Sequence, residues 1–353
     1  MTSVGIIGLG LIGGSLARAL VAAGVPVIAT DPSDDARTAA RAAGMQIADD
    51  VATLCGNHPS MVVLAVPLRA MRVVAGEVSA ALDDAPGWDP TVVDVGSVKG
   101  PVRDAIRDAG LAGRYVGAHP MAGTEHSGFD ASFPDLLRGI RWVVTVDPGA
   151  TRLGDGVPTS GKATDPDRLA GVLRLITAEL GGTAAVLTDD AHDEAAALVS
   201  HVPHVLAGEL LGLVAGAPVR DVALGLAAGS FRDGTRVAYG DPRRTEAMVT
   251  QNAAWVAPAL RLAARDLEML ADALDSNAPT GWFFDRPEPL RDRRPRQTNG
   301  RTPGGVPEIP LRETAPPPEQ RVPLEGDWPA ELVERCSVGA VVVLMERETA
   351  VLT

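Results

Sequence analysis

The run Gly8-Leu9-Gly10-Leu11-Ile12-Gly13 constrains the fold more than any other feature of the chain, because of what flanks it. Val4 to Ile7 is a short, wholly apolar segment of the kind carried by buried parallel strands, and Ser15 to Ala23 has a helix-forming composition. The glycines therefore fall at a strand-to-helix turn, the context in which this spacing reads as a dinucleotide-binding fingerprint. Gly8 is expected to make the tight turn, Gly10 to let a pyrophosphate approach the backbone, and Gly13 to let helix and strand pack closely. The helix start at Leu11 and Ile12 then offers N–H groups to the phosphates. A second strand, Val25 to Ala29, leads to Thr30-Asp31. A carboxylate at that strand end accepts the ribose hydroxyls and repels a 2′-phosphate, so Asp31 predicts NAD rather than NADP as the cofactor.

At 353 residues the chain is long enough for two domains with real cores. Aromatic residues make up only 3% of it, so those cores must be aliphatic and helix-rich. A net charge of −13 disfavours a nucleic-acid or anionic-membrane surface, although a few arginines suffice for a local anion pocket. Cys55 and Cys336 lie far apart and lack metal-type spacing, which predicts neither a disulfide framework nor a zinc site and fits a reducing cytoplasm. The N-terminus enters a strand within a few residues and does not read as a signal peptide. The longest apolar stretches are strand-sized or interrupted by polar residues, so no membrane span is expected.

From Val4 to about Asp147, apolar runs at Met61–Val66, Thr91–Val95, Tyr115–Gly117 and Trp142–Val146 alternate with Ala-rich helical stretches. The expectation is an α/β, Rossmann-type dinucleotide-binding domain over residues 1–150, a parallel sheet with helices on both faces. Residues 148–165 are turn-rich and read as a surface loop near the domain junction. Residues 165–280 are predicted as a mostly α-helical substrate and dimerisation domain. Its apolar faces, as in Val249 through Leu274, are wider than an isolated bundle needs, so a homodimer is expected. Residues 285–329, with Arg293-Arg294-Pro295-Arg296 and Pro316-Pro317-Pro318, read as a flexible linker. In the short C-terminal segment, 330–353, a helical turn near Trp328 to Arg335 and a hairpin from Gly339–Leu344 to Ala350–Leu352 are expected to lean on something else for stability.

Four further phrases carry chemistry: Asp94-Val-Gly-Ser-Val-Lys99, His119-Pro-Met-Ala-Gly-Thr-Glu-His-Ser-Gly128, Ser200-His-Val-Pro-His204 and Phe231-Arg-Asp-Gly-Thr-Arg-Val-Ala238. In this order and spacing, together with the glycine turn, they resemble the prephenate dehydrogenases of tyrosine biosynthesis, over about residues 4 to 280. The resemblance implies NAD(P)-dependent oxidation of a cyclohexadienol, loss of carbon dioxide and release of an aromatic product.

The residue chemistry agrees with it. His119 follows a predicted strand, near the carboxyl end of the sheet where open α/β folds place ligands. A neutral imidazole there can accept a ring-hydroxyl proton as hydride leaves the same carbon. Nothing in that step calls for a metal. Ser97, after a strand-end glycine, can reach the same hydroxyl or cap the next helix, and by resemblance it supports His119. Lys99 is open to two readings, a solvated helix-start lysine or a ligand contact. Ser200 to His204 reads as helical, with Ser200 and His204 one turn apart and His201 pointing about a quarter turn away. Pro203 would kink this helix and free a carbonyl. Resemblance assigns Ser200, His201 and His204 to the substrate pocket, while His192 reads as lining the entrance. It also carries the Thr-Arg pattern onto Thr235-Arg236, where a guanidinium fork would grip a substrate carboxylate. Glu125 would gate or orient an arginine, or face solvent.

The expected small-molecule substrate is prephenate, with arogenate as the alternative, since one acid facing its ammonium would reverse the preference. A β-hydroxy-acid dehydrogenase on the same plan is disfavoured because Asp189 to Gly240 contains no lysine. A non-catalytic nucleotide-binding redox regulator would draw support from the Pro/Arg tail, yet it would have no need for His119, Ser97, His204 and Arg236 beside an intact nucleotide fingerprint.

Overall fold

In the computed structural model the described residues are 2–124, 126–147, 163–291 and 319–353. Glu125, residues 148–162 and the 292–318 stretch with the arginine cluster and proline triplet lie outside them, and with them most of the expected surface loop. The described chain forms two units, one of residues 2–192 and 319–353, the other of residues 193–291.

The first unit is organised by strands whose residues are apolar on both faces. β1 (Val4–Ile7), β2 (Val27–Thr30) and β4 (Met61–Leu64) are buried at every position, as a sheet covered on both sides requires. With β3 (Gln46–Ile47), β5 (Thr91–Asp94), β6 (Tyr115–Pro120), β7 (Arg141–Thr145) and β8 (Thr183–Leu187) they enter one sheet. Its order is β3-β2-β1-β4-β5-β6-β7-β8-β10-β11-β9, completed by β9 (Gln320–Pro323), β10 (Val342–Met345) and β11 (Thr349–Leu352). β3 through β6 are parallel in that order, and the chain reverses direction across the sheet at β1 and β4. That reversal is where open α/β sheets leave a ligand crevice.

The sheet departs from the expected one in three ways. It is mixed: β7 runs antiparallel to β6, because it returns directly along its neighbour without a crossover helix. β6 extends through Pro120, so His119 lies on the strand, paired with Val143, and not after it. The sheet also continues past the boundary drawn at residues 150–165, since the helix Pro166–Arg174 and β8 pack into the first unit with Leu169 and Val186 fully buried. The cause is strand pairing, as β8 lies parallel to β7 over five residues.

The C-terminal segment finds its support on the same sheet. β10 meets β8 through Val342 and Ala184, β11 pairs antiparallel with β10, and the helix Trp328–Ser337 buries Trp328, Leu332 and Cys336. β9 falls inside the stretch expected to be linker and closes the sheet's far edge. The short helix Glu288–Arg291 also falls inside that stretch, and another, Gly281–Asp285, ends where it begins. Both cysteines are buried and free; burial pushes the Cys55 thiol up to about 11, with Glu77 adding to the shift.

The second unit is helical, with runs at Val202–Gly216, Pro242–Gln251 and Ala253–Asp275. Much of its apolar surface is uncovered, including Val199, Leu226 and Leu274 at 70%, 78% and 64% exposure. One run, Asp189–Gly216, is by length and composition long and apolar enough to cross a membrane, contrary to expectation. The polar residues in it are too few to interrupt its apolar character once the π-helical turn at Ala197–His201 joins the flanking helices.

Candidate active site

The glycine turn is built as its spacing predicts. Gly8 has a φ of +103°, and a Cβ there would lie 2.4 Å from the Ala65 carbonyl beyond β4. A Cβ on Gly13 would lie 2.0 Å from the Gly8 carbonyl, so any larger residue would push the helix off the strand. At Gly10 a Cβ would meet nothing within 4 Å, which leaves the backbone open to a ligand. The helix Leu11–Ala22 starts at Gly10 with neither a side-chain cap nor an acidic residue in its first turn. Its leading N–H groups, those of Leu11, Ile12 and Gly13, have no acceptor one turn back. Asp31 stands beyond β2 and accepts from Leu9 N (2.7 Å, Oδ2) and Ser33 N (2.8 Å, Oδ1). Each carboxylate oxygen keeps a lone pair for a ribose hydroxyl. The cradle and the acid thus fit a dinucleotide.

One wall beside this helix is the segment around Phe129. Arg18 donates to Ser132 Oγ at 2.9 Å and stacks 4.4 Å over the Phe129 ring, while Phe133 N donates to Ser15 Oγ. An open cleft of about 660 Å³ is lined by Thr124, His126, Ser127, Asp130, Ala131 and Phe133.

His119 is half-buried near the carboxyl end of β6. Its Nδ1 lies 2.9 Å from Nε2 of His192, a buried residue on the helix Asp189–Ala196. His192 was expected near the entrance; the fold makes it a partner of His119. Ser97 sits half-buried on the turn that follows β5.

Lys99 is not the solvated helix-start lysine, because its side chain is wholly buried. Its Nζ donates to Asp94 Oδ2 and to the Ala118 carbonyl, both at 2.6 Å. The same carboxylate accepts from Tyr115 Oη and Gly96 N, each at 2.7 Å. The end of β5, the Ser97 turn, the next helix start and the residue before His119 are thereby tied to one buried ion pair. The five-residue spacing of Asp94 and Lys99 was visible in sequence, but not that both point inward.

In the helical unit Ala197–His201 forms a π-helical turn, closed by Val202 N donating to Ala197 O. Pro203 follows Val202 and has no N–H to continue an α-helical ladder back to Val199. The Ser200 carbonyl lies 2.8 Å from His204 Nδ1, and both residues are half-buried on one face. His201 does not share that face. It is buried, with Nδ1 3.0 Å from Asn252 Nδ2, which also donates to the Asp193 carbonyl. The quarter turn between adjacent helical residues turns it inward, where it joins helices. Thr235 is buried, and Arg236 is exposed with no ion-pair partner among the described residues. Glu125 falls outside the described residues.

Two family models match the chain: "Prephenate dehydrogenase, nucleotide-binding domain" over residues 16–152, and "Prephenate dehydrogenase, dimerization domain" over residues 188–282. The cyclohexadienyl dehydrogenase of Zymomonas mobilis is 35% identical over 279 residues, spanning 77% of this chain and 88% of that protein. The structure of Aquifex aeolicus prephenate dehydrogenase in complex with hydroxyphenyl propionate and NAD+ is similar at a TM-score of 0.69 and 29% identity, covering 82% of this chain and 96% of that one. Synechocystis arogenate dehydrogenase matches at a TM-score of 0.66 and 25% identity, covering 82% and 99%.

Proposed function

Because the chain belongs to the prephenate dehydrogenase family, we propose that it converts prephenate to 4-hydroxyphenylpyruvate by NAD-dependent oxidative decarboxylation. The observation that carries the reading is His119, an imidazole on β6 in the same sheet unit as the glycine turn and held through one nitrogen by His192. Bound NAD+ supplies the hydride acceptor. His119 takes the proton from the ring hydroxyl as hydride departs from the same carbon, so the new carbonyl forms without a positive charge. The bond from the ring to its carboxylate then breaks, carbon dioxide leaves, its electron pair completes the aromatic ring, and the ring oxygen takes the proton back from His119. Ser97 supports the hydroxyl or the imidazole. Ser200 and His204 contact the substrate, Arg236 pairs with a substrate carboxylate, and Glu125 orients the charged groups. His201 acts behind them by fixing the π-turn.

The test is reduction of NAD+ and NADP+ by the purified chain with prephenate and with arogenate. Prephenate with NAD+ should be the fastest pair. Arogenate as the better substrate would move the assignment within the family, and no reduction by folded protein with either acid would end it.

Asp31 sets the cofactor preference. Asp31→Ser should shift the KM ratio of NAD+ to NADP+ by about tenfold or more toward NADP+, the size of one charged hydrogen bond. The ratio is the readout, because losing the Leu9 contact loosens the turn for both cofactors. A wild-type protein that already prefers NADP+ would refute the role.

The exposed apolar residues of the helical unit belong to a homodimer, in keeping with the dimerization-domain match and with a cytoplasmic enzyme. Analytical ultracentrifugation should find two chains per particle at micromolar concentration; a monomer there would contradict the assignment.

A further inference from the structure

We infer that His192 is a positioning residue that decides which nitrogen of His119 receives the proton, an inference that rests on the reading of His119 as the base. The two histidines are 73 residues apart, yet His119 Nδ1 and His192 Nε2 are 2.9 Å apart. The rings meet edge-on, with centroids 5.1 Å apart and planes at 74°. That geometry suits an N–H of one ring directed at the in-plane lone pair of the other.

A neutral imidazole carries one hydrogen, on one nitrogen. With Nδ1 turned to His192, the nitrogen left to meet a substrate is Nε2. For Nε2 to accept a proton, the hydrogen must already sit on Nδ1. His119 Nδ1–H then donates to His192 Nε2, and His192 holds its own hydrogen on Nδ1. The reverse arrangement, with His192 Nε2–H donating to His119, moves the hydrogen of His119 to Nε2 and presents a donor where the base is needed. Only one tautomer pair is productive. After proton transfer His119 is a cation, and the same hydrogen bond becomes charge-assisted and stronger.

The fold builds this contact into the sheet. His119 pairs with Val143 on β7, and Val143 pairs with Ala185 on β8, so the three lie in one row across the strands. β8 ends two residues later and turns through Thr188 into the helix that carries His192, whose N–H donates to the Thr188 carbonyl at 3.0 Å. Thr188 Oγ1 accepts from Ala191 N, and Asp189 meets Arg103 at 3.4 Å, which anchors the helix start. His192 itself is only 2% exposed. The row of strands and the helix that follows β8 set the distance between the two rings.

The experiment compares His192→Leu, His192→Gln and His119→Asn by steady-state kinetics, and reads the His119 tautomer in the wild-type protein by ¹⁵N NMR. Loss of a partner that orients a histidine lowers rates by about 10- to 100-fold, so His192→Leu should lose that much kcat with little change in either KM. His192→Gln, whose amide oxygen can accept the same hydrogen, should recover most of it. The wild-type spectrum should show hydrogen on Nδ1 of His119. Wild-type kcat in His192→Leu, or hydrogen on Nε2 in the active wild-type protein, overturns the inference even if His119→Asn is inactive. An active His119→Asn instead removes the base assignment. Should His192→Leu fail to fold, the wild-type tautomer and the glutamine variant still decide.

Discussion

Replacing His119 by Asn is expected to lower kcat by about 10² to 10⁴ while the dissociation constant for NAD+ stays nearly unchanged. Asparagine keeps a polar group beside His192 but cannot carry away a proton, so the hydroxyl of the substrate would have to lose its proton to water. The cofactor cradle is untouched, because it is built from the Gly8 turn and Asp31 at the ends of β1 and β2. NAD+ titration and steady-state turnover of one preparation separate the two effects. Near-normal turnover in a folded variant would take His119 out of the mechanism.

Lys99→Met is expected to destabilise the protein by about 3–5 kcal/mol, the range for removing one partner of a buried ion pair. Asp94 and Lys99 are both wholly buried, so water cannot take over the lost contact. The change leaves the Asp94 carboxylate uncompensated and the Ala118 carbonyl without its Lys99 donor, beside the strand residue that holds His119. Urea unfolding monitored by circular dichroism measures the loss. Adding Asp94→Asn removes the stranded charge and should restore part of the stability, although the Tyr115 and Gly96 bonds weaken. A single variant within about 1 kcal/mol of wild type, the size of a surface ion pair, would mean that the pair contributes little.

Sequence by itself determined the features that local sterics dictate. The Gly8–Gly13 turn lies between β1 and a helix because a Cβ at either end would collide with neighbouring backbone, and that requirement is written in the spacing. Buried strands such as Val4–Ile7 and Met61–Leu64 were legible because covered strands are apolar at every position. A break near Ser200–Pro203 was legible from the missing N–H of Pro203, and a π-turn lies just ahead of it at Ala197–His201. Tertiary structure alone decided which distant residues meet. Nothing local in Tyr115-Val-Gly-Ala-His119 marks it as running on to Pro120 beside an antiparallel β7, or brings His192 to His119 across β7 and β8. The buried contacts of Lys99 and His201 were not legible for the same reason. Whether a polar side chain faces water or a buried partner depends on what the other elements place against it, Asp94 and Ala118 for one, Asn252 for the other. The last strands depended on it most, since β9, β10 and β11 are too short to persist alone and exist as a sheet because β8 offers an open edge with hydrogen bonds to complete.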